Sequence, residues 1–269
     1  PDLEQAGLYS YHGGKNGFYI NEPREYPLVY NYDIVSAYPE AMRQLPDLEL
    51  GEWSPVDRYV PNVHGLYEIE IQYNPCKWRS LQIHDGKWLE KGYIGGLWTT
   101  SYELDSLLQF GEGRILNCRG YIFRGPNGGP LVEYVDKFFG IKRTTSGPER
   151  ETAKLFLNSL YGKFFQKQAL GSLGYFNLDT GEWVESNPDS AFDYDAGGLY
   201  NPPIASLITG FVRAKIHRLE HKYNSLMTST DGFFGEYPPE PSDLSDNLGG
   251  LTATAGRLRI WRERLYIFD

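Results

Sequence analysis

An α+β fold is predicted by three features of the sequence. Short alternating runs rich in Tyr, Ile and Val read as strands at 28–32, 63–73, 114–123 and 256–268. Longer segments with apolar residues at helical spacing read as helices at 101–110, 131–141, 147–166 and 204–223. The two kinds alternate without a regular βαβ rhythm, so antiparallel sheets with packed helices are expected rather than a doubly wound sheet. The 269 residues are 41% hydrophobic and 23% charged, enough apolar material for a packed core and too much for wholesale disorder.

In chain order, residues 17–35 alternate and end in the strand Leu28-Val29-Tyr30-Asn31-Tyr32, which delivers Asp33. Val35 to Leu45 reads as a short helix with Pro39 in its first turn, where a missing N–H is tolerated. The helix at 101–110 is expected to carry a Ser cap, and Gly125 to Pro130 forms a turn. The helix at 147–166 is the best specified, because Ser146 and Glu149 match a Ser-x-x-Glu capping box with Pro148 inside the first turn. Residues 171–203 are polar and rich in Gly, Asp and Asn, and read as hairpins or an insertion. A second long helix follows, then a hairpin at Asp231-Gly232, a Pro/Asp/Gly loop at 237–250, and a basic strand region at 256–268.

Two cysteines, Cys76 and Cys118, are too few for a disulfide framework and lack the spacing of a metal site. No apolar run approaches the ~18 residues that span a bilayer, so no membrane partner and a cytoplasmic setting are expected. The chain starts at Pro1 without a signal pattern, which suggests a fragment or a processed chain. The net charge is −9, which argues against a generic basic nucleic-acid binder. Partition changes that reading. Segments 142–167, 213–222 and 257–264 hold 14 basic and 4 acidic residues, and the remaining 225 residues carry a net −19. The expectation is a basic working surface on an acidic body.

Three constellations carry chemistry. On the helix at 147–166, Ala153, Leu157, Leu160 and Phe164 form an apolar stripe, and Arg150, Lys154, Asn158 and Tyr161 share a neighbouring one. Two cations, an amide and a phenol on one face can grip a polyphosphate and offer a ring to a base, though a solvated face has the same pattern. Tyr32-Asp33-Ile34-Val35-Ser36-Ala37-Tyr38-Pro39 sets a carboxylate at a strand end, suited to a hard divalent ion or simply to capping a turn. Ser229-Thr230-Asp231-Gly232 sets a second carboxylate at a hairpin tip.

In this order and spacing the three pieces resemble the family-B DNA polymerases, most closely their protein-primed branch. The D-x-x-S-x-Y-P motif is matched at Asp33, Ser36, Tyr38 and Pro39, and K-x-x-x-N-S-x-Y-G at Lys154, Asn158, Ser159, Tyr161 and Gly162. The Y-x-D-T-D-S motif keeps only Thr230 and Asp231, with Ser229 in place of its first Asp and Gly232 in place of its last Ser. Thr209 and Arg213 match T-x-x-x-R, and Arg264-Leu265-Tyr266 looks like K-x-Y with Arg for Lys.

The resemblance implies a palm of antiparallel sheet and helices with short helical fingers, no exonuclease domain and no complete thumb. Its segments are a lead-in at 1–24, a first palm part at 25–141 with a region similar to the terminal-protein insertion, fingers at 142–170, an insertion at 171–203, and a second palm part at 204–269. It implies a polymerase that transfers deoxynucleotides from dNTPs to a primer 3′-OH, or to a protein-primer hydroxyl, with two Mg²⁺ ions for which Mn²⁺ can substitute. Asp33 and Asp231 are the implied catalytic carboxylates and metal ligands, with the Ile34 carbonyl as a further donor. Tyr38, Lys142, Arg150, Lys154, Asn158 and Tyr161 are implied nucleotide contacts. Ser36, Gly162, Thr209, Arg213, Arg264 and Tyr266 are implied DNA contacts. Primer-template DNA, dNTPs and a terminal-protein primer are the implied partners, in viral or plasmid replication within a host cell. The weakened third motif keeps an alternative open, a polymerase-derived module that binds nucleic acid or a partner without catalysis.

Overall fold

The computed structural model describes residues 2–82, 89–169, 174–177, 180, 182–185 and 194–269. Its elements run α1 (Leu3–Ser10), β1 (Lys15–Phe18), β2 (Arg24–Ile34), α2 (Ala37–Arg43), β3 (Glu52–Val56), β4 (His64–Tyr73), β5 (Gly92–Thr100), α3 (Ser101–Gln109), β6 (Gly113–Arg124), α4 (Pro130–Thr144) and α5 (Gly147–Lys163). Then come β7 (Lys167–Ala169), β8 (Gly174–Asn177), β9 (Glu182–Glu185), β10 (Tyr194–Ala196), α6 (Pro202–Tyr223), β11 (Ser225–Thr230), β12 (Gly232–Gly235), β13 (Leu251–Arg262) and β14 (Leu265–Phe268). Part of the segment 171–203, read from sequence as an insertion, lies outside the described residues; its described strands form two short antiparallel pairs, β7 with β10 and β8 with β9.

A six-stranded antiparallel sheet has the order β1-β11-β12-β2-β13-β14. A four-stranded antiparallel sheet has the order β3-β6-β4-β5. The predicted α+β class holds. β2 is central in the large sheet, paired along its length with β12 on one side and β13 on the other. One face of that sheet packs on α6 and α2 through Tyr32, Ile34, Met42, Ile208, Val212, Phe233 and Leu251, all buried. Tyr26, Val29, Leu226, Met227, Phe234, Leu258 and Ile260 form a smaller cluster from the alternate positions. The small sheet has its own core of Tyr67, Ile69, Ile71 and Tyr73 with Leu104 and Leu107 of α3. α6 is buried over most of its 22 residues, because it packs against both sheets and α3 at once. Among the described residues, no helix is long and apolar enough to cross a membrane.

Two local expectations are corrected. The cap of α3 is Thr100 rather than a serine. Its hydroxyl accepts from the Glu103 amide, and the Glu103 carboxylate accepts in turn from the Thr100 amide, a complete capping box. The capping box expected at Ser146 does not form, since the Ser146 side chain makes no capping bond. Gly147 takes φ +64 there, outside the helical range, so the first turn lacks the geometry the box requires. Residues 1–24 hold α1 and β1. β1 is the edge strand of the large sheet, paired with β11, and the Tyr11 ring stacks on Phe165 at 3.6 Å. A boundary at 141/142 would fall inside α4.

Candidate active-site cleft

The strand that ends at Ile34 fixes the first carboxylate. Asp33 faces Gly232 of β12 across one ladder and Thr252 of β13 across the other, so its backbone is held on both sides. The Ile34 amide donates to the Asp231 carbonyl at 3.0 Å, tying the strand end to the neighbouring hairpin tip. Ser36 then adopts φ +53, the left-handed conformation that turns the chain from β2 into α2.

Asp231 comes from the loop between β11 and β12. Ser229 pairs with Gly232, so the loop residues are Thr230 and Asp231, one place earlier than the Asp-Gly signal suggested. Thr230 takes φ +55, a costly conformation for a β-branched residue. Its hydroxyl lies 3.0 Å from Asp231 Oδ1 and donates to the Ser229 carbonyl at 2.8 Å. Glycine suits position 232 because a β-carbon there would sit 3.0 Å from the Tyr32 carbonyl oxygen.

The cations arrive on two helices. Lys142 is in the last turn of α4, and its ammonium donates to Ser36 Oγ at 2.8 Å. On α5, Ala153, Leu157 and Phe164 are buried as the stripe predicts, which turns Lys154, Asn158 and Tyr161 toward the strand ends. Tyr161 stacks on Tyr38 of α2, ring centroids 4.1 Å apart and 8° from parallel. The result is a cleft of about 370 Å³ lined by Asp33, Ile34, Ser36, Ala37, Tyr38, Lys142, Lys154, Asn158, Tyr161, Thr230 and Asp231. A larger cleft of about 500 Å³, near Tyr19, Lys77 and Arg79, has no carboxylate among the described residues of its lining, whereas carboxylates and lysines meet in the smaller one.

The electrostatics of the cleft are those of a site awaiting charge. Burial and then the facing Asp231 carboxylate raise the pKa of Asp33, opposed by Lys142 and Lys154. Burial and then the neighbouring Arg150 and Lys154 lower that of Lys142, opposed by Asp33. Burial, then Tyr161 and Asp231, push the Tyr38 phenol up. Like charges are thus crowded in pairs. A divalent cation between the carboxylates and a polyphosphate against the lysines would relieve both. The donor set Asp33, Asp231 and the Ile34 carbonyl consists of hard oxygens, which suits Mg²⁺ or Mn²⁺.

Not every expected residue is in the cleft. Arg150 is exposed on α5, 3.4 Å from Glu151, and acts on the site through its charge. Gly162 is exposed beside Tyr161 with open space where a β-carbon would go. Arg264 and Tyr266 sit on the exposed β13–β14 hairpin, with the Tyr266 ring edge-on to Phe234 at 5.2 Å. Ser229 is exposed on β11, and Ala37 and Thr230 are the cleft residues that were not among the implied contacts.

Thr209 and Arg213 correct the sequence reading outright. Both are 2% exposed. Arg213 Nε donates to Glu103 at 3.0 Å and its Nη1 to the His12 carbonyl at 2.6 Å, while the Thr209 hydroxyl donates to the Ala205 carbonyl at 3.2 Å. They hold the core rather than DNA. The basic segment 213–222 follows them: Lys215 bonds Glu40, and Lys222 bonds Glu240 and Asp243. Three of the four cations of this segment are already paired with carboxylates, and Arg218 donates to the Gln109 side chain.

Residues 8–173 match the family model described as DNA polymerase type B, organellar and viral. The chain belongs to that family. Among curated proteins it is similar to the DNA polymerases of Bacillus phages PZA and phi29, each 27% identical over 186 aligned residues, covering 60% of this chain and 31% of the phage protein. Its fold is similar to phi29 DNA polymerase in an orthorhombic crystal form, with a TM-score of 0.70, 20% identity, and 99% of this chain on 50% of that one. It is also similar to phi29 DNA polymerase complexed with primer-template DNA, with a TM-score of 0.73, 22% identity, and 99% of this chain on 49% of that one. This type-B family member therefore spans about a third of the curated relatives and half of the solved chains that it matches. The family match starts at residue 8, which includes β1 and extends the resemblance read from about residue 25.

Proposed function

We propose that this chain is the nucleotidyl-transfer portion of a DNA polymerase, adding deoxynucleotides to a primer hydroxyl. One observation carries the proposal. Two carboxylates far apart in sequence, two lysines from two helices, an amide and a stacked tyrosine pair all line the same cleft. On this reading the large sheet with α6 and α2 is the palm, α4 and α5 are the fingers, and the β13–β14 hairpin runs beside DNA.

Bound divalent ions would be held by Asp33, Asp231 and the Ile34 carbonyl, and would supply charge neutralisation and activation of the attacking hydroxyl. The chain's own residues do the rest. Lys142 and Lys154 bind the triphosphate and offset the charge that develops on pyrophosphate as the primer oxygen bonds the α-phosphorus. Tyr38 sits under the sugar and excludes a 2′-hydroxyl. Tyr161 and Asn158 border the new base pair, and Tyr161 must leave or slide along Tyr38 as the base enters. Gly162 leaves room for the template strand. The phage relatives and a solved complex with primer-template DNA support DNA and dNTPs as partners, and a terminal-protein primer is the further proposal from the protein-primed branch. Host-cell viral or plasmid replication is the proposed setting.

Primer extension with Mg²⁺ or Mn²⁺ tests this directly, comparing the unsubstituted chain with Asp33→Ala and Asp231→Ala. Metal-dependent extension that both substitutions abolish is the expected outcome. No extension under either metal removes the catalytic reading and leaves a non-catalytic module. Extension that survives both substitutions removes the site assignment.

A further inference from the structure

A second cluster of ligand-type side chains lies where the small sheet meets α6. Cys76 follows β4, Glu112 precedes β6, and His217 and His221 are one turn apart on α6. Cys76 Sγ is 2.9 Å from Glu112 Oε1 and 3.3 Å from His221 Nε2. His217 Nε2 is 3.1 Å from Glu112 Oε1 and 3.3 Å from His221 Nε2, and His221 Nε2 is 3.5 Å from Glu112 Oε1. All four ligand atoms fall within 4.8 Å of one another, the one such grouping of His, Cys, Asp and Glu found among the described residues. Tetrahedral zinc, with bonds of about 2.0–2.3 Å, sets its ligand atoms about 3.3–3.6 Å apart. Five of the six separations, at 2.9 to 3.5 Å, are already near that spacing.

The surroundings hold the donors in place. Ser106 Oγ is 2.8 Å from His217 Nδ1, leaving Nε2 to face the cluster. Ser80 Oγ donates to the other oxygen of Glu112 at 2.7 Å. The Phe110 ring lies parallel to His221 at 3.5 Å. Glu112 and His217 are 1% exposed. The Trp78 carbonyl oxygen, 2.7 Å from His217 Nε2, converges as a fifth donor or as the imidazole's partner when no ion is bound. A thiolate and two imidazoles select zinc over the hard ions that suit the cleft.

We propose that Cys76, Glu112, His217 and His221 form a structural zinc site that fastens the small sheet to α6. Its four ligands come from three separated stretches, so one ion closes two long loops. This corrects the reading of Cys76 as lacking metal-site spacing: its partners are histidines and a glutamate brought in by the fold. The inference is independent of polymerase activity.

The test is metal content and spectrum, without catalysis. The 269-residue chain is stripped with a chelator, re-equilibrated with Zn²⁺ and desalted. One retained equivalent, with a melting temperature raised by about 5 °C or more over the stripped chain, is expected. Cys76→Ser and His221→Ala should lose that equivalent, and Asp33→Ala with Asp231→Ala should keep it. Substitution with Co²⁺ gives a check on the unsubstituted chain alone: a thiolate-to-cobalt charge-transfer band with intense tetrahedral d–d bands. Failure to retain zinc, or a cobalt spectrum without thiolate character, overturns the site. Retention by both ligand variants overturns it equally.

Discussion

The cleft and the interior of α6 both hold charged side chains, but they handle charge in opposite ways. In the interior each charge meets its opposite at short range: Arg213 meets Glu103 at 2.8 Å and Lys15 meets Glu220 at 2.6 Å, with exposures of 2% or less. In the cleft, like also faces like, beside Lys142 and Lys154 that partly offset the Asp33 carboxylate. Asp231 disfavours ionisation of Asp33, while Arg150 and Lys154 disfavour protonation of Lys142. Compensated charge binds the protein to itself. Charge left crowded at a solvent-reachable cleft is available to a ligand that brings the opposite sign.

The contrast breaks hardest at the carboxylates. Asp231→Asn and Asp33→Asn should each lower primer extension by roughly 10³-fold, as loss of a main electrostatic group does. The melting temperature of the metal-free protein should hold or rise, because a like-charge repulsion has gone. Steady-state extension beside thermal melting reads both, and a fall in stability equal to the fall in rate would erase the distinction between the regions.

Arg213→Met should do the reverse. Leaving Glu103 buried without its partner costs ~3–5 kcal/mol, read by urea unfolding, while extension per folded molecule persists. A pH series sharpens this. Burial pushes the Glu103 carboxyl up, but Arg213, with His12 and hydrogen bonds, outweighs that and holds it below its ordinary value. Its stabilising contribution is therefore complete above the unfolded carboxylate pKa of ~4.3 and is lost as pH falls through the folded value. The stability gap between the parent and Arg213→Met should narrow as the pH falls below ~4.3 toward the folded value.

Lys154→Ala should raise the KM for dNTP about 10-fold, with unfolding free energy unchanged within ~0.5 kcal/mol, since an exposed side chain carries no packing. The smallest effect belongs to Lys222→Ala, a surface ion pair worth at most ~1 kcal/mol to denaturant unfolding and nothing to extension.

The same division marks what the sequence discloses. Asp33, Tyr38, Lys154 and Asn158 are legible because each sits in a short local pattern whose element also forms as read. Asp231 is legible although its motif is eroded, because a hairpin tip is a local event. Arg213 is misread because its partner Glu103 lies on another helix, and no local pattern states that the pair is buried. The sheet-edge role of β1 and the gathering of Cys76 with His217 also depend on distant neighbours, whereas the cap at Thr100 is a local Thr-x-x-Glu box one place before the serine read as the cap. The unformed box at Ser146 shows the limit of a local rule, where the glycine at 147 overrides the serine before it.

The placement of β2 has a consequence for synthesis. β2 ends at Ile34, whereas both its neighbours, β12 and β13, are made from residues 232–262 and leave the ribosome long after it. Until then the strand that carries Asp33 has bare backbone on both edges, an open template for pairing with another nascent chain. Slow, late closure of the central sheet follows from that order. The protein acquires its two facing carboxylates in the same step that removes its greatest hazard of misassembly.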